Sequence, residues 1–140
     1  MNKLSSLRQV KLYRAKALLP TSHEILAKHL KLFTPDHEYN RLSFTYWFKK
    51  DDYTNILEKM NRIGWLADEM DHHPEWKLSD RNLQINLSTH DIGNKISLKD
   101  YILADYIENV IAGKNSEQIL FEKWNKRKVN VEELIQDTIL

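Results

Sequence analysis

The stretch from Asp52 to Met70 constrains the fold more than any other part of the chain. Tyr53, Ile56, Leu57, Met60, Ile63, Leu66, Ala67 and Met70 recur at steps of three and four. That spacing lines one face of an α-helix with apolar side chains. On both sides of this stretch the period changes to two. Leu42, Phe44, Tyr46 and Phe48 alternate with Ser43, Thr45 and Trp47, and Leu83, Ile85 and Leu87 alternate with Asn82, Gln84, Asn86 and Ser88. Period two marks a strand with one buried face. Strands separated by helices give an α+β class: an antiparallel sheet with helices packed on one face.

Local signals place the boundaries. Pro20 breaks the chain, and Thr21-Ser22-His23-Glu24 resembles a capping box ahead of a short helix whose apolar face is Ile25, Leu26, Leu30 and Leu32. Pro35 and Asp36 predict a turn, and a break near Asn40-Arg41 predicts a hairpin. Asp51 or Asp52 caps the long helix, and Pro74 forbids its continuation. Residues 75–79 form another strand, and Gly93-Asn94 is a turn after Thr89-His90-Asp91. Ser97 with Asp100 is a second capping signal, for a helix over 98–112 that Gly113 stops. This divides the chain into a basic N-terminal arm (1–20), a central domain (21–113) and a helical C-terminal extension (114–140) interrupted by Lys126-Arg127-Lys128. The arm carries five basic residues and no acid. That composition also suits an organellar targeting segment; a helical arm packed on the domain is the favoured reading.

Composition removes whole classes of chemistry. The chain has no cysteine, so a disulfide scaffold, a thiolate zinc site and a cysteine nucleophile are excluded. Three glycines cannot build a Gly-rich phosphate loop. A formal net charge of +1 supplies no global field for nucleic acid, which is not expected as a partner. No apolar stretch approaches the roughly 20 residues of a membrane span. The absence of disulfides fits a reducing compartment, and the expected location is the cytoplasm.

Three of the six histidines fall at the ends of elements: His72 and His73 after the long helix, His90 after the clearest strand. Rigid elements can hold such groups around one cleft. Adjacent histidines splay apart by about 100° on a helix, and there is no H-x-x-x-H pair, so the spacing is poor for a metal. Ser88 and Thr89 adjoin His90, but neighbours on a strand face opposite ways and no G-x-S-x-G elbow is present. Acid–base catalysis fits better, because histidine donates and accepts protons near neutral pH. The bland alternative is a pair of surface histidines and a hydrogen-bonded strand-end histidine. Trp47, Trp65 and Trp124 read as core or interface residues, whereas Trp76, beside His73-Pro74, suits a core or a pocket wall equally.

Asp71-His72-His73-Pro74-Glu75-Trp76, Leu87-Ser88-Thr89-His90-Asp91, Ser97-x-x-Asp100 and Leu103-Ala104-x-x-Ile107 together resemble the pterin-4a-carbinolamine dehydratase family. The resemblance spans residues 40–112 and is absent from both tails; Asp80 departs from it where an aromatic is usual. It implies a four-stranded antiparallel sheet with helices on one face. It implies loss of water from 4a-hydroxytetrahydropterin to give quinonoid dihydropterin, in tetrahydrobiopterin recycling, with no metal and no bound cofactor. By the same resemblance His72 and His90 move protons and His73 holds the substrate. Asp71, Pro74, Ser88, Thr89, Asp91 and Ile92 line the pocket, Asp68 and Trp76 support it, and Asp100 matches a further acid without an assigned role. A homodimer or homotetramer is implied. The alternatives are a dimerisation or coactivator partner of a transcription factor, and an enzyme of the same fold acting on another pterin.

Overall fold

The structure is a computed structural model that describes residues 7–12, 14–114 and 138–139. Its elements, in chain order, are α1 (Leu7–Leu12), β1 (Ala17–Leu18), α2 (Pro20–Ala27), β2 (Thr34–Asp36), β3 (Arg41–Trp47), α3 (Tyr53–Met70), β4 (Glu75–Leu78), β5 (Asn82–Leu87), a 3-10 turn (His90–Ile92), α4 (Leu98–Ile111) and β6 (Thr138–Ile139). Strands β2-β3-β5-β4 form one antiparallel sheet in that order, and β1 pairs with β6 separately. The α+β class with a four-stranded antiparallel sheet is thus the observed one. The helical extension expected over 114–140 lies outside the described residues, apart from Lys114 and the strand Thr138–Ile139.

Register puts the apolar residues on one face. Leu42 opposes Leu87, Phe44 opposes Ile85 and Tyr46 opposes Leu83; on the other side of β5, Trp76 opposes Ile85 and Leu78 opposes Leu83. The alternate positions pair Ser43 with Asn86 and Thr45 with Gln84. A slip of one residue would turn every apolar side chain to the wrong face, so burial fixes the register. Rings from Phe33 through Phe44 and Tyr46 to Phe48 follow one another at centroid distances of 5.4, 6.2 and 6.3 Å.

Helix α3 follows its periodicity, burying Ile56, Ile63, Ala67 and Met70. Helix α4 does not behave as an amphipathic surface helix. Every residue from Leu98 to Val110 is buried, including Lys99, Asp100, Asp105, Glu108 and Asn109. A helix covered all round must find partners for its polar residues. Glu108 shows how: its carboxylate accepts the backbone N–H groups of Lys31, Leu32 and Phe33 at 2.8, 2.9 and 3.0 Å, tying the α2–β2 connection to α4. Its end is a Schellman turn, with Gly113 N–H on the Val110 carbonyl, Lys114 N–H on that of Asn109, and Gly113 at φ 82.

Several local expectations are corrected. Pro20 starts α2 rather than preceding it, because a first-turn position needs no N–H. Thr21 therefore lies inside the helix, no side chain caps it, and Ile25 and Leu32 are exposed. Pro35-Asp36 is not a turn but part of β2, an edge strand, where a missing N–H costs no ladder bond; the chain reverses over residues 37–40. Asp52 flanks α3 without a side-chain cap bond. Tyr53 and Leu57, expected on the apolar face, are about half exposed. Of the core or interface alternatives for Trp47 and Trp65, their exposure leaves the interface, and Trp124 lies outside the described residues. Among the described residues no helix is long and apolar enough to cross a membrane.

Candidate active site

The end of α3 decides where the histidine pair goes. Asp71 takes left-handed backbone geometry at φ 48. Its N–H bonds the Asp68 carbonyl at 3.1 Å, and the His72 N–H bonds that of Ala67 at 2.9 Å. Together they form a Schellman turn that satisfies two of the last helical carbonyls. A left-handed residue costs Asp less than most side chains. Pro74, two residues after His72, directs the chain into β4. The turn sends His72 inward, 8 % exposed, and leaves Asp71 and His73 facing solvent.

Inside, His72 Nε2 lies 2.6 Å from Oδ1 of Asp100, which is fully buried. The other carboxylate oxygen accepts the Thr89 hydroxyl at 2.7 Å and the Ser97 backbone N–H at 2.8 Å. Because the Thr89 proton is committed to Asp100, Ser97 donates to Thr89 Oγ1, at 2.6 Å, while its own oxygen accepts the Lys99 N–H at 3.2 Å. Every contact of the carboxylate is a donor, which assigns the imidazole proton to Nε2 and leaves Nδ1 as the basic nitrogen. The Ser97–Asp100 capping box, legible in the sequence, thus does more than start a helix. It also fixes the tautomer and orientation of His72.

The other histidines are more open. His73 is exposed, with Nε2 2.8 Å from Asp68 Oδ1. Asp68 therefore orients His73, and Asp100 orients His72. His90 opens the 3-10 turn. Gly93 and Asn94 follow at φ 75 and 59, folding the chain back so that Asn94 Oδ1 accepts from His90 Nδ1 at 2.5 Å. The Thr89 N–H bonds the Lys95 carbonyl at 2.9 Å and closes this loop. The remaining nitrogen, Nε2, is 3.9 Å from Glu75 Oε1 in the first residue of β4. Glu75 thereby links the His90 turn to the segment that leaves His73-Pro74.

The structure joins Thr89 to His72 through Asp100. Ser88 and Ile92 are half-buried beside Thr89 and in the 3-10 turn, and Asp91 is exposed. Pro74 is half-buried. Trp76 packs against the hydrophobic core opposite Ile85, on the sheet's apolar face. Among the described residues no three histidine, aspartate or glutamate groups converge as metal ligands. Two hollows lie away from these histidines: about 710 Å³ along Tyr46–Asp52, and about 500 Å³ between α2 and the β2–β3 turn, bordered by His23 and His37.

The sequence does not single out His23. Its Nδ1 is 2.8 Å from the Tyr101 hydroxyl, which follows Asp100 on α4. Burial, and then the charge of Asp100, push the Tyr101 phenol well above its ordinary range, so it remains a hydroxyl that donates to His23. Burial and then His37 lower the His23 pKa, against an upward pull from Asp100. Helical spacing gives no sign of this contact, because its partners are 78 residues apart.

Comparison with known proteins adds to this geometry. Residues 20–110 match the family described as pterin 4 alpha carbinolamine dehydratase. A protein of Rhodospirillum rubrum is 37% identical over 71 residues, which cover 51% of this chain and 73% of that protein. One of Christiangramia forsetii is 32% identical over 94 residues, covering 67% of this chain and 95% of that protein. Both carry the name pterin-4-alpha-carbinolamine dehydratase as a provisional assignment. Among solved structures, the transcriptional coactivator/pterin dehydratase of Brucella melitensis shares the fold, with a TM-score of 0.61 at 19% identity over 67% of this chain and 97% of that one.

Proposed function

Because the chain belongs to the pterin 4 alpha carbinolamine dehydratase family, we propose that it removes water from a 4a-hydroxytetrahydropterin and so recycles the pterin. The observation that carries this reading is the buried Asp100 carboxylate holding His72 in one tautomer. A base prepared in this way serves an elimination in which a ring N–H loses its proton as the C4a–oxygen bond breaks. His72 Nδ1 takes that proton, and Asp100 stabilises the imidazolium that forms. His90, protonated, gives its proton to the departing hydroxyl, which leaves as water. The Asn94 carbonyl fixes His90 at Nδ1, and the Glu75 carboxylate stands 3.9 Å from its Nε2. The proton taken by His72 and the proton given by His90 balance, so solvent exchange restores both groups. His73, open and steered by Asp68, contacts the pterin, with the turn around Asp91-Ile92 forming the opposite side.

We assign the protein to self-association as well. Trp47, Tyr53, Leu57 and Trp65 are 45–70% exposed on β3 and α3, and a second copy would cover them.

The deciding experiment is stopped-flow dehydration of chemically generated 4a-hydroxytetrahydropterin by the full chain, with His72→Ala and His90→Ala beside it. Acceleration by the wild type, with losses on the order of 10²–10⁴-fold in both variants, is expected. A folded wild type that binds pterin without accelerating dehydration refutes the dehydratase reading.

A further inference from the structure

We propose that Lys99 is a positioning residue that pins the N-terminal helix α1 to the start of α4, beside the Asp100 that orients His72. The proposal deepens the dehydratase reading and rests on it.

Lysine is almost never buried without a partner, yet Lys99 is only 7% exposed. It stands one residue before Asp100, inside the capping box that orients His72. Its ammonium donates to the Lys11 carbonyl at 3.4 Å. Lys11 is in the last turn of α1, where carbonyls have no partner within the helix and the helix dipole is negative. A six-residue helix is too short to hold itself together in water. What fixes α1 is tertiary: Val10 is fully buried in the core, α1 packs on α3, and the ammonium caps its last turn.

The same residue anchors the capping box: the Lys99 N–H bonds Ser97 Oγ at 3.2 Å, and Asp100, the next residue, holds His72 from behind. Burial lowers the pKa of its ammonium, and Asp91, Asp71 and Asp100 pull it back up. The family match begins at residue 20, so α1 lies outside the matched unit. Lys99 is where this arm meets the proposed chemistry.

The test compares full-length Lys99→Met, which keeps the length and loses the charge, with Lys99→Arg, which keeps the charge. Lys99→Met is expected to lower kcat for dehydration by about tenfold with KM within about twofold. It is also expected to accelerate amide exchange over residues 7–12. Lys99→Arg is expected to recover kcat and the protection. Unchanged kcat and exchange in Lys99→Met, or the same defects in Lys99→Arg, overturn the proposal. A wild type without dehydratase activity defeats the functional reading alone. The exchange of residues 7–12 then decides the role of Lys99, and unchanged exchange in Lys99→Met overturns it. Should Lys99→Met fail to fold, Val10→Ala loosens α1 without touching the ammonium. Reduced kcat with faster exchange supports the arm's contribution; faster exchange with unchanged kcat overturns it.

Discussion

Asp100→Asn is nearly isosteric and probes the network at its centre. The carboxylate accepts His72 Nε2–H at 2.6 Å, the Thr89 hydroxyl at 2.7 Å and the Ser97 N–H at 2.8 Å. An asparagine keeps one carbonyl oxygen, which can serve Thr89 and Ser97. Its amide N–H then faces His72 Nε2–H, donor against donor, and the imidazole must move its proton to Nδ1 to accept. Bonds to a charged acceptor contribute about 1.5–3 kcal/mol against about 0.5–1.5 for neutral ones, so three of them lose roughly 3 kcal/mol of charge assistance. Relief from burying the charge returns part of that. A net loss of about 2 kcal/mol moves a urea midpoint down by roughly 1 M for an m-value near 2 kcal/mol/M. Urea unfolding measures this, and long-range ¹⁵N–¹H spectra of the imidazole report the tautomer. With Nδ1 now protonated, the proposed base is gone and dehydration should fall by about 10²–10³-fold. A midpoint within about 0.3 M of wild type, with His72 still protonated at Nε2, would refute the reasoning.

Three further outcomes follow from other contacts. Glu108→Gln keeps the shape but removes the charge that three backbone N–H groups share, so it should cost about 1–3 kcal/mol, a fall in melting temperature of several degrees by calorimetry, with little change in activity at low temperature. His23 has a folded pKa below its ordinary value, set by burial and then His37. The unfolded chain therefore binds more protons as pH falls below about 6.5, and the stability from this group, full above that pH, is lost on descent towards the folded pKa. Urea midpoints between pH 7.5 and 5 should fall less in His23→Gln than in wild type; parallel curves would contradict the assignment. Trp65 is 69% exposed on α3, so Trp65→Gln should leave the monomer's stability unchanged within about 0.5 kcal/mol and reduce its mass in sedimentation equilibrium. An unchanged mass would place self-association elsewhere.

The sequence by itself determined what depends on near neighbours. The period of residues 53–70 set α3, the alternation of 82–87 set β5, and Ser97-x-x-Asp100 set the start of α4, because these patterns report which face of one element meets the core. The histidine motifs carried the family in the same way. The tertiary structure alone decided which groups meet. Asp100 reaches His72 across 28 residues, Glu108 reaches Lys31 across 77, and the Lys99 ammonium reaches Lys11 across 88. Nothing in the period of α4 showed that its polar residues face inward, since a helix covered on every side has no exposed stripe to read. Pro35 escapes a local reading for a related reason: only the sheet order makes β2 an edge, where proline is tolerated. Local chemistry sets the elements. Burial, which belongs to the assembled chain, turns a helix cap into the partner of His72.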